Sequence, residues 1–127
     1  MRLVILESPY RGLTKEEAHR YRVYALLALR DCYERGEAPI ASHMLGPQVL
    51  SDDIPHERNM GIEAGLEWHK VAEAAVFYID YGKSIGMLRA ERNAQAEGLP
   101  REYRTLNTQQ QALLRDLLAA SGKETQQ

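Results

Sequence analysis

The chain has 127 residues, a formal net charge of −2 and one cysteine. This length is that of one domain, which can bury a core without disulfides or bound metal. The charge offers no basic excess for nucleic acid, and no apolar run is long enough to span a membrane. Because Cys32 has no intramolecular partner and the N-terminus differs from a signal peptide, we expect a cytoplasmic protein without nucleic-acid or membrane partners.

The first half of the chain predicts two strands and two helices. The apolar run Leu3–Leu6 is typical of a buried parallel strand. Thr14, with Glu17 three positions later, forms the capping box of a helix. A short second strand is predicted over 38–41, and after a polar loop a second helix continues to about Val71.

The second half repeats this alternation. The remaining predicted elements are a strand over 74–79, a helix over 84–97, a weaker strand over 102–106 and a last helix that begins at Asn107 or Thr108. Residues 1–120 therefore form the predicted domain, and 121–127 a frayed tail. Strands that alternate with helices predict an α/β fold, with a four- to five-stranded, mostly parallel sheet covered by helices on both faces.

The loop after the first strand, Ser8–Gly12, is the first candidate site. A loop between a strand and a helix N-terminus presents backbone N–H groups to an anion, and Ser8 and Arg11 add a hydroxyl and a guanidinium. Tyr10 is placed to stack on a flat ligand ring. The alternative is an ordinary turn that requires Pro and Gly12, with Arg11 in solvent.

Further candidates follow the second and third strands. His43 comes after the second strand and is expected to face the same crevice; the alternative is a hydrogen-bonded loop histidine. Asp80 ends the third strand, and Ser84, Gly86 and Glu91 follow in the next helix. In the structural alternative, Asp80 caps a loop and Glu91 forms a surface salt bridge.

Glu63 lies on the second helix, one turn before Glu67, where it either points into the crevice or belongs to a solvated helix face. No group of His, Cys, Asp and Glu residues has metal-ligand spacing, and the sequence contains no complete phosphate-binding glycine motif. We therefore expect no metal and no cofactor.

The order of these segments resembles the nucleoside 2-deoxyribosyltransferase-like superfamily, including its deoxynucleoside 5′-monophosphate N-hydrolase branch, and is most similar to a phage-associated subgroup. Ser8–Gly12 resembles that branch's Gly-Ser-x-Arg-Gly loop, with Glu7 in place of the first glycine. Ser84-x-Gly86 followed by Glu91 resembles its nucleophile segment, lengthened by one residue. The superfamily's catalytic aspartate aligns near Gly65, which has no side chain.

This resemblance implies a flavodoxin-like three-layer domain that acts as an N-glycoside hydrolase or deoxyribosyltransferase on a small nucleoside or nucleotide, and that assembles as a homodimer or higher homo-oligomer. Glu91 would be an ionised nucleophile, held so by a cationic or hydrogen-bonding neighbour. The other implied roles are a second acid from Glu63 or Asp80, phosphate binding by Ser8, Arg11 and Ser84, and base or sugar contacts from Tyr10 and His43. Because Gly65 replaces the aspartate, a non-catalytic nucleotide-binding protein is the alternative, and a structural domain with empty loops is a third.

Overall fold

The four strands form one sheet in which every neighbouring pair is parallel. The computed structural model describes residues 1–126 of the chain. The strands are β1 (Arg2–Glu7), β2 (Glu37–Ile40), β3 (Ala74–Tyr78) and β4 (Arg101–Arg104), in the spatial order β2-β1-β3-β4. This order matches the first four positions of the flavodoxin-like sheet, and the direction of winding reverses between β1 and β3. The predicted α/β fold is confirmed.

Helices cover both faces of the sheet. They are α1 (Lys15–Glu34), α2 (Pro55–Glu67), α3 (Ile85–Ala96) and α4 (Thr108–Gln126), with short 3-10 turns at Ser42–Met44, Gly46–Gln48 and Trp68–Lys70. No helix within residues 1–126 combines the length and the apolar character that crossing a bilayer requires.

Alternation along the strands sends side chains into two separate cores. Val4 and Leu6 of β1 pack with Tyr24 of α1 and Leu114 of α4 on one face, which we call the α1/α4 side. On the other face, the α2/α3 side, a second cluster is centred on Phe77 and includes residues of α3. Burying one such large apolar side chain contributes about 1.5–3 kcal/mol, so both cores hold their helices in place.

Several element ends differ from the sequence prediction. Thr14 does accept a hydrogen bond from the Glu17 backbone N–H at 3.1 Å, but the Glu17 carboxylate returns to the N–H of Leu13. The second helix stops at Glu67 and continues only as a 3-10 turn. The structure extends α4 through residue 126, where a frayed tail was predicted; residue 127 lies outside the described residues.

A network of buried charges lies on the α1/α4 side. Arg104 donates to both carboxylate oxygens of Glu37, at 2.8 and 2.7 Å, to Glu102 at 2.9 Å and to the Tyr78 hydroxyl at 3.2 Å. The Arg104 hydrogen bond is the main cause that lowers the pKa of Glu37, and a hydrogen bond from Arg2 is the main cause that lowers the pKa of Glu102 to about 2. Of the guanidinium nitrogens of Arg104, only Nε has no hydrogen-bond partner among the described residues. The network therefore stabilises the ionised form of both acids.

Candidate functional site

The candidate site, called the crevice below, is formed by the residues at the carboxyl end of β1, the loop after β2 and the end of α2. Ligands of open α/β sheets bind at this edge, next to the position where the strand order reverses. In this sheet that position is the carboxyl end of β1 and β3. The loops after these strands carry most of the residues singled out in the sequence.

Ser8 and His43 meet in this crevice. Ser8 Oγ and His43 Nε2 lie 2.8 Å apart, and Ser8 is only 4% exposed. Burial lowers the pKa of His43, against a smaller opposite effect of the nearby Glu7 charge. The other ring nitrogen, Nδ1, is buried and has no hydrogen-bond partner among the residues that the structure describes. The hydrogen bond thus joins the loops that follow two neighbouring strands, and it leaves His43 Nδ1 without a partner among the described residues.

The loop after β1 is held against α1 by close packing. A Cβ atom placed on Gly12 would lie 2.4 Å from the backbone N of Ala18 and 2.8 Å from the backbone carbonyl carbon of Glu17. Real Cβ atoms do not approach backbone so closely, so the loop requires glycine at this position. Tyr10 leads out of this loop toward the crevice, and its ring meets the His43 ring edge-on, with centroids 6.0 Å apart. Arg11 is exposed.

A second polar pair, Glu7 and His69, begins at the residue before Ser8 and is not among the candidates that the sequence motifs indicate. Asn93 Nδ2 donates to His69 Nδ1 at 2.9 Å, an assignment that places the ring proton of His69 on Nε2. That Nε2 lies 3.6 Å from Glu7 Oε1, too far for a hydrogen bond. Glu7 is 9% exposed and His69 is 2% exposed. The signal in the sequence was an acid that ends an apolar strand where the resembled loop has glycine.

Gly65 of α2 lies close to the loop after β2. A Cβ atom on Gly65 would lie 2.8 Å from Ser42 Oγ, so any side chain there would force Ser42 to turn. Trp68, one turn of helix later, is 48% exposed and does not belong to the core. At position 65 the end of α2 therefore contributes backbone atoms to the crevice and no carboxylate.

Asp80 lies on the α1/α4 side of the sheet. Its carboxylate accepts hydrogen bonds from the Tyr24 hydroxyl at 2.6 Å and from the backbone N–H of Leu106 at 3.0 Å. The Tyr24 hydroxyl in turn accepts from the Asp80 backbone N–H at 2.9 Å. These contacts join the end of β3 to α1 and to the loop between β4 and α4.

Glu91 lies beside the edge strand β4. Its carboxylate binds Lys83 Nζ at 2.7 Å and accepts a hydrogen bond from the Tyr103 hydroxyl. These two hydrogen bonds, that of Lys83 first, lower the pKa of Glu91. The preceding residue, Ala90, packs into the core of the α2/α3 side. A neighbour that keeps this acid ionised was expected from the sequence, and Lys83 and Tyr103 provide it.

The expected convergence of Glu91 with the β1 and β2 loops is not found. β4 is separated from β1 by β3, and within residues 1–126 no hydrogen bond or ion pair joins Glu91 to Ser8, Arg11 or His43. Ser84 caps α3 by accepting from the Met87 backbone N–H at 3.2 Å, and it has no contact with this crevice among the described residues.

The two remaining candidates lie on helix surfaces. Glu63 is exposed on α2, and Gly86, the second residue of α3, would accommodate a Cβ atom 3.9 Å from Ser84 Oγ. In the part of the chain that the structure describes, no group of three or more His, Cys, Asp or Glu side chains is arranged to hold a metal ion.

Residues 2–104 match the model of a family described as a domain of unknown function, DUF7768. The match includes all four strands and α1 to α3, and the chain belongs to this family. No curated protein matches the sequence.

Proposed function

We propose that the protein binds a nucleoside or nucleotide in the crevice at the carboxyl ends of β1 and β2. The observation that carries this proposal is the contact between Ser8 and His43, which leaves Nδ1 of the imidazole buried and unpaired among residues 1–126. A buried polar atom without a partner costs about 1–3 kcal/mol, and among the described residues His43 Nδ1 is one of five such side-chain atoms. A ligand hydrogen bond to Nδ1 would remove that cost.

The composition of the crevice suits a small ligand with a flat ring. Tyr10 and His43 offer aromatic surfaces at right angles to each other, and Ser8 offers a hydroxyl. Few polar groups among apolar and aromatic ones are typical of small-molecule sites. The resemblance of Ser8–Gly12 to the nucleotide loop of the deoxyribosyltransferase-like superfamily supports the same ligand class. We further propose a cytoplasmic, homo-oligomeric protein of that superfamily's phage-associated type.

Cleavage of the N-glycosidic bond is a second candidate function, favoured by the contacts of Glu91. Lys83 and Tyr103 lower the pKa of this carboxylate, as a nucleophile toward an anomeric carbon requires. In that reaction the Glu91 oxygen would bond to the sugar carbon as the C–N bond breaks, and the leaving base would take a proton from solvent. Water would then displace the Glu91 oxygen from the sugar carbon and return a proton to solvent. Because Glu91 lies at β4 and not at β1, we rank binding first.

Thermal unfolding with added ligand tests the first proposal. A ligand at a hundred times its Kd stabilises the native state by about 2.7 kcal/mol, which raises Tm by on the order of 10 °C for a chain of this size. We expect such a rise with deoxynucleosides or their 5′-monophosphates, and its loss in His43→Ala and Ser8→Ala. His56→Ala, which alters an exposed histidine of α2, is the matched control. If no ligand of either class raises Tm, the proposed function is wrong.

Chromatography of the same incubations tests the second candidate. Free base released by the wild-type protein and by Glu97→Gln, but not by Glu91→Gln, would support cleavage; Glu97 is an exposed acid at the end of α3. Binding without free base would leave the binding function alone.

A further inference from the structure

We propose that Glu7 selects the ligand of the crevice: its carboxylate accepts a hydrogen bond from a sugar hydroxyl and makes the site prefer a nucleoside to a nucleoside 5′-monophosphate. This inference rests on the proposed binding function and specifies its ligand.

The fold directs Glu7 toward the crevice. Val4 and Leu6 face the α1/α4 side, so alternation along β1 places Glu7 on the α2/α3 side, at the carboxyl end of an inner strand. The carboxylate interacts electrostatically with His43 and lies 3.6 Å from His69 Nε2. It therefore lies at the 3-10 turn that follows α2 and is the residue before Ser8 in the chain.

Within residues 1–126, the polar neighbours of Glu7 leave its carboxylate oxygens without hydrogen bonds. The hydrogen bond from Asn93 fixes the His69 ring, and the Nε2–H of that ring faces Glu7 Oε1. Among the described residues, the carboxylate accepts no hydrogen bond, although such a group has about four lone-pair sites. Since an ionised carboxylate can only accept, the ligand group beside it must be a donor, such as a hydroxyl.

The charges around the loop disfavour a phosphate at the same place. Burial lowers the pKa of His43, which keeps its ring neutral near pH 7, and Arg11 is exposed to solvent. A phosphate bound by the backbone of the Ser8 loop would lie close to the Glu7 carboxylate, which precedes that loop in the chain. In the described structure no buried cation lies between the two. Repulsion between two like charges in a partly buried site weakens binding by about tenfold or more.

Titration calorimetry on the full chain tests this assignment, with the four deoxynucleosides and their 5′-monophosphates as the probes. For the wild-type protein we expect nucleosides to bind at least about tenfold more tightly than the corresponding monophosphates. Glu7→Gln keeps the shape but removes the charge, and we expect it to weaken nucleoside binding and to abolish the preference. Glu97→Gln, which changes an exposed acid, should leave the ratio of the two Kd values unchanged. Because the ratio is measured on one protein sample, partial unfolding of a variant does not change it.

The outcomes separate this inference from the binding function. Equal or tighter binding of monophosphates by the wild-type protein, or an unchanged ratio in Glu7→Gln, would overturn the role of Glu7 while the binding function stands. If neither class binds to the wild-type protein, both are overturned.

Discussion

Among the described residues, buried ionisable side chains are hydrogen-bonded to each other on one side of the sheet but not on the other. On the α1/α4 side, Arg104 and Glu37 are 5% and 6% exposed at their side chains and are joined by two hydrogen bonds, and Glu102 completes the group. On the α2/α3 side, Glu7 and His69 are also buried but remain 3.6 Å apart without a hydrogen bond. The first arrangement satisfies its buried charges within the fold, whereas the Glu7 carboxylate is left, in the described part of the chain, without a hydrogen bond that a ligand could supply.

The residues of the paired network and the residues of the crevice also have different roles. The paired network links β1, β2 and β4 across the sheet, so it fixes how the strands are arranged. The crevice residues come from strand ends and a helix end, which the same strands hold in place. The charges of one side thus support the geometry of the other, and substitutions should reveal this division.

The largest effect is expected from Arg104→Ala. Removal of the guanidinium leaves Glu37 buried with only the partly exposed Arg2 as partner, and breaking a buried ion pair in this way costs about 3–5 kcal/mol. Urea unfolding measures the loss. The control is Arg30→Ala, which breaks an exposed pair with Glu34 and should cost under about 0.5 kcal/mol. Similar losses in both variants would contradict the assigned role of the network.

A smaller loss is expected from Gly12→Ala in the crevice loop. The added Cβ would meet the α1 backbone at 2.4 Å, and overpacking of this kind costs about 1–3 kcal/mol. Gly86→Ala is the matched control, because its Cβ would meet only Ser84 Oγ at 3.9 Å. Urea unfolding should therefore show destabilisation for the first variant and little change for the second. An unaffected Gly12→Ala would mean that the loop is not tightly packed.

The smallest effect is expected in the pH dependence of Tm, where His43 of the crevice and Glu102 of the paired network should titrate in different pH windows. Burial lowers the folded pKa of His43 below 6.5, so its contribution is complete above pH 6.5 and is lost as pH falls through the lowered value. The folded pKa of Glu102 is lowered from 4.5 to about 2, so its contribution is complete above pH 4.5 and is lost toward pH 2.

Variants identify the two windows. Glu102→Gln should flatten the decline of Tm between pH 4.5 and about 2, and His43→Gln should flatten only the decline that begins near pH 6.5. A single window for both variants would show that the two regions are not independent.

Local patterns in the sequence were sufficient for the fold, because each strand and helix carries its own periodicity and end signals. Thr14 and Ser84 cap the helices that their spacing predicts. His43 forms a hydrogen bond with Ser8, which fits both the expected shared crevice and the alternative of a hydrogen-bonded loop histidine. These features depend on neighbours in the chain or on the common edge where parallel strands end.

The remainder of the site depends on orientation, which short motifs do not determine. Ala90 lies in the core, and Glu91, about 100° farther around α3, reaches β4. Glu7 and His69 are far apart in the sequence, and only the packing of α2 brings them together. The catalytic roles implied for Glu91, Glu63 and Asp80 remain predictions.

The close approach of Gly12 to Ala18 has a kinetic consequence. Because this loop packs closely against the α1 backbone, we expect its backbone amides to be arranged before a ligand binds. Association should then be a single bimolecular step, in which the observed rate rises linearly with ligand concentration and does not level off at the speed of a closing motion.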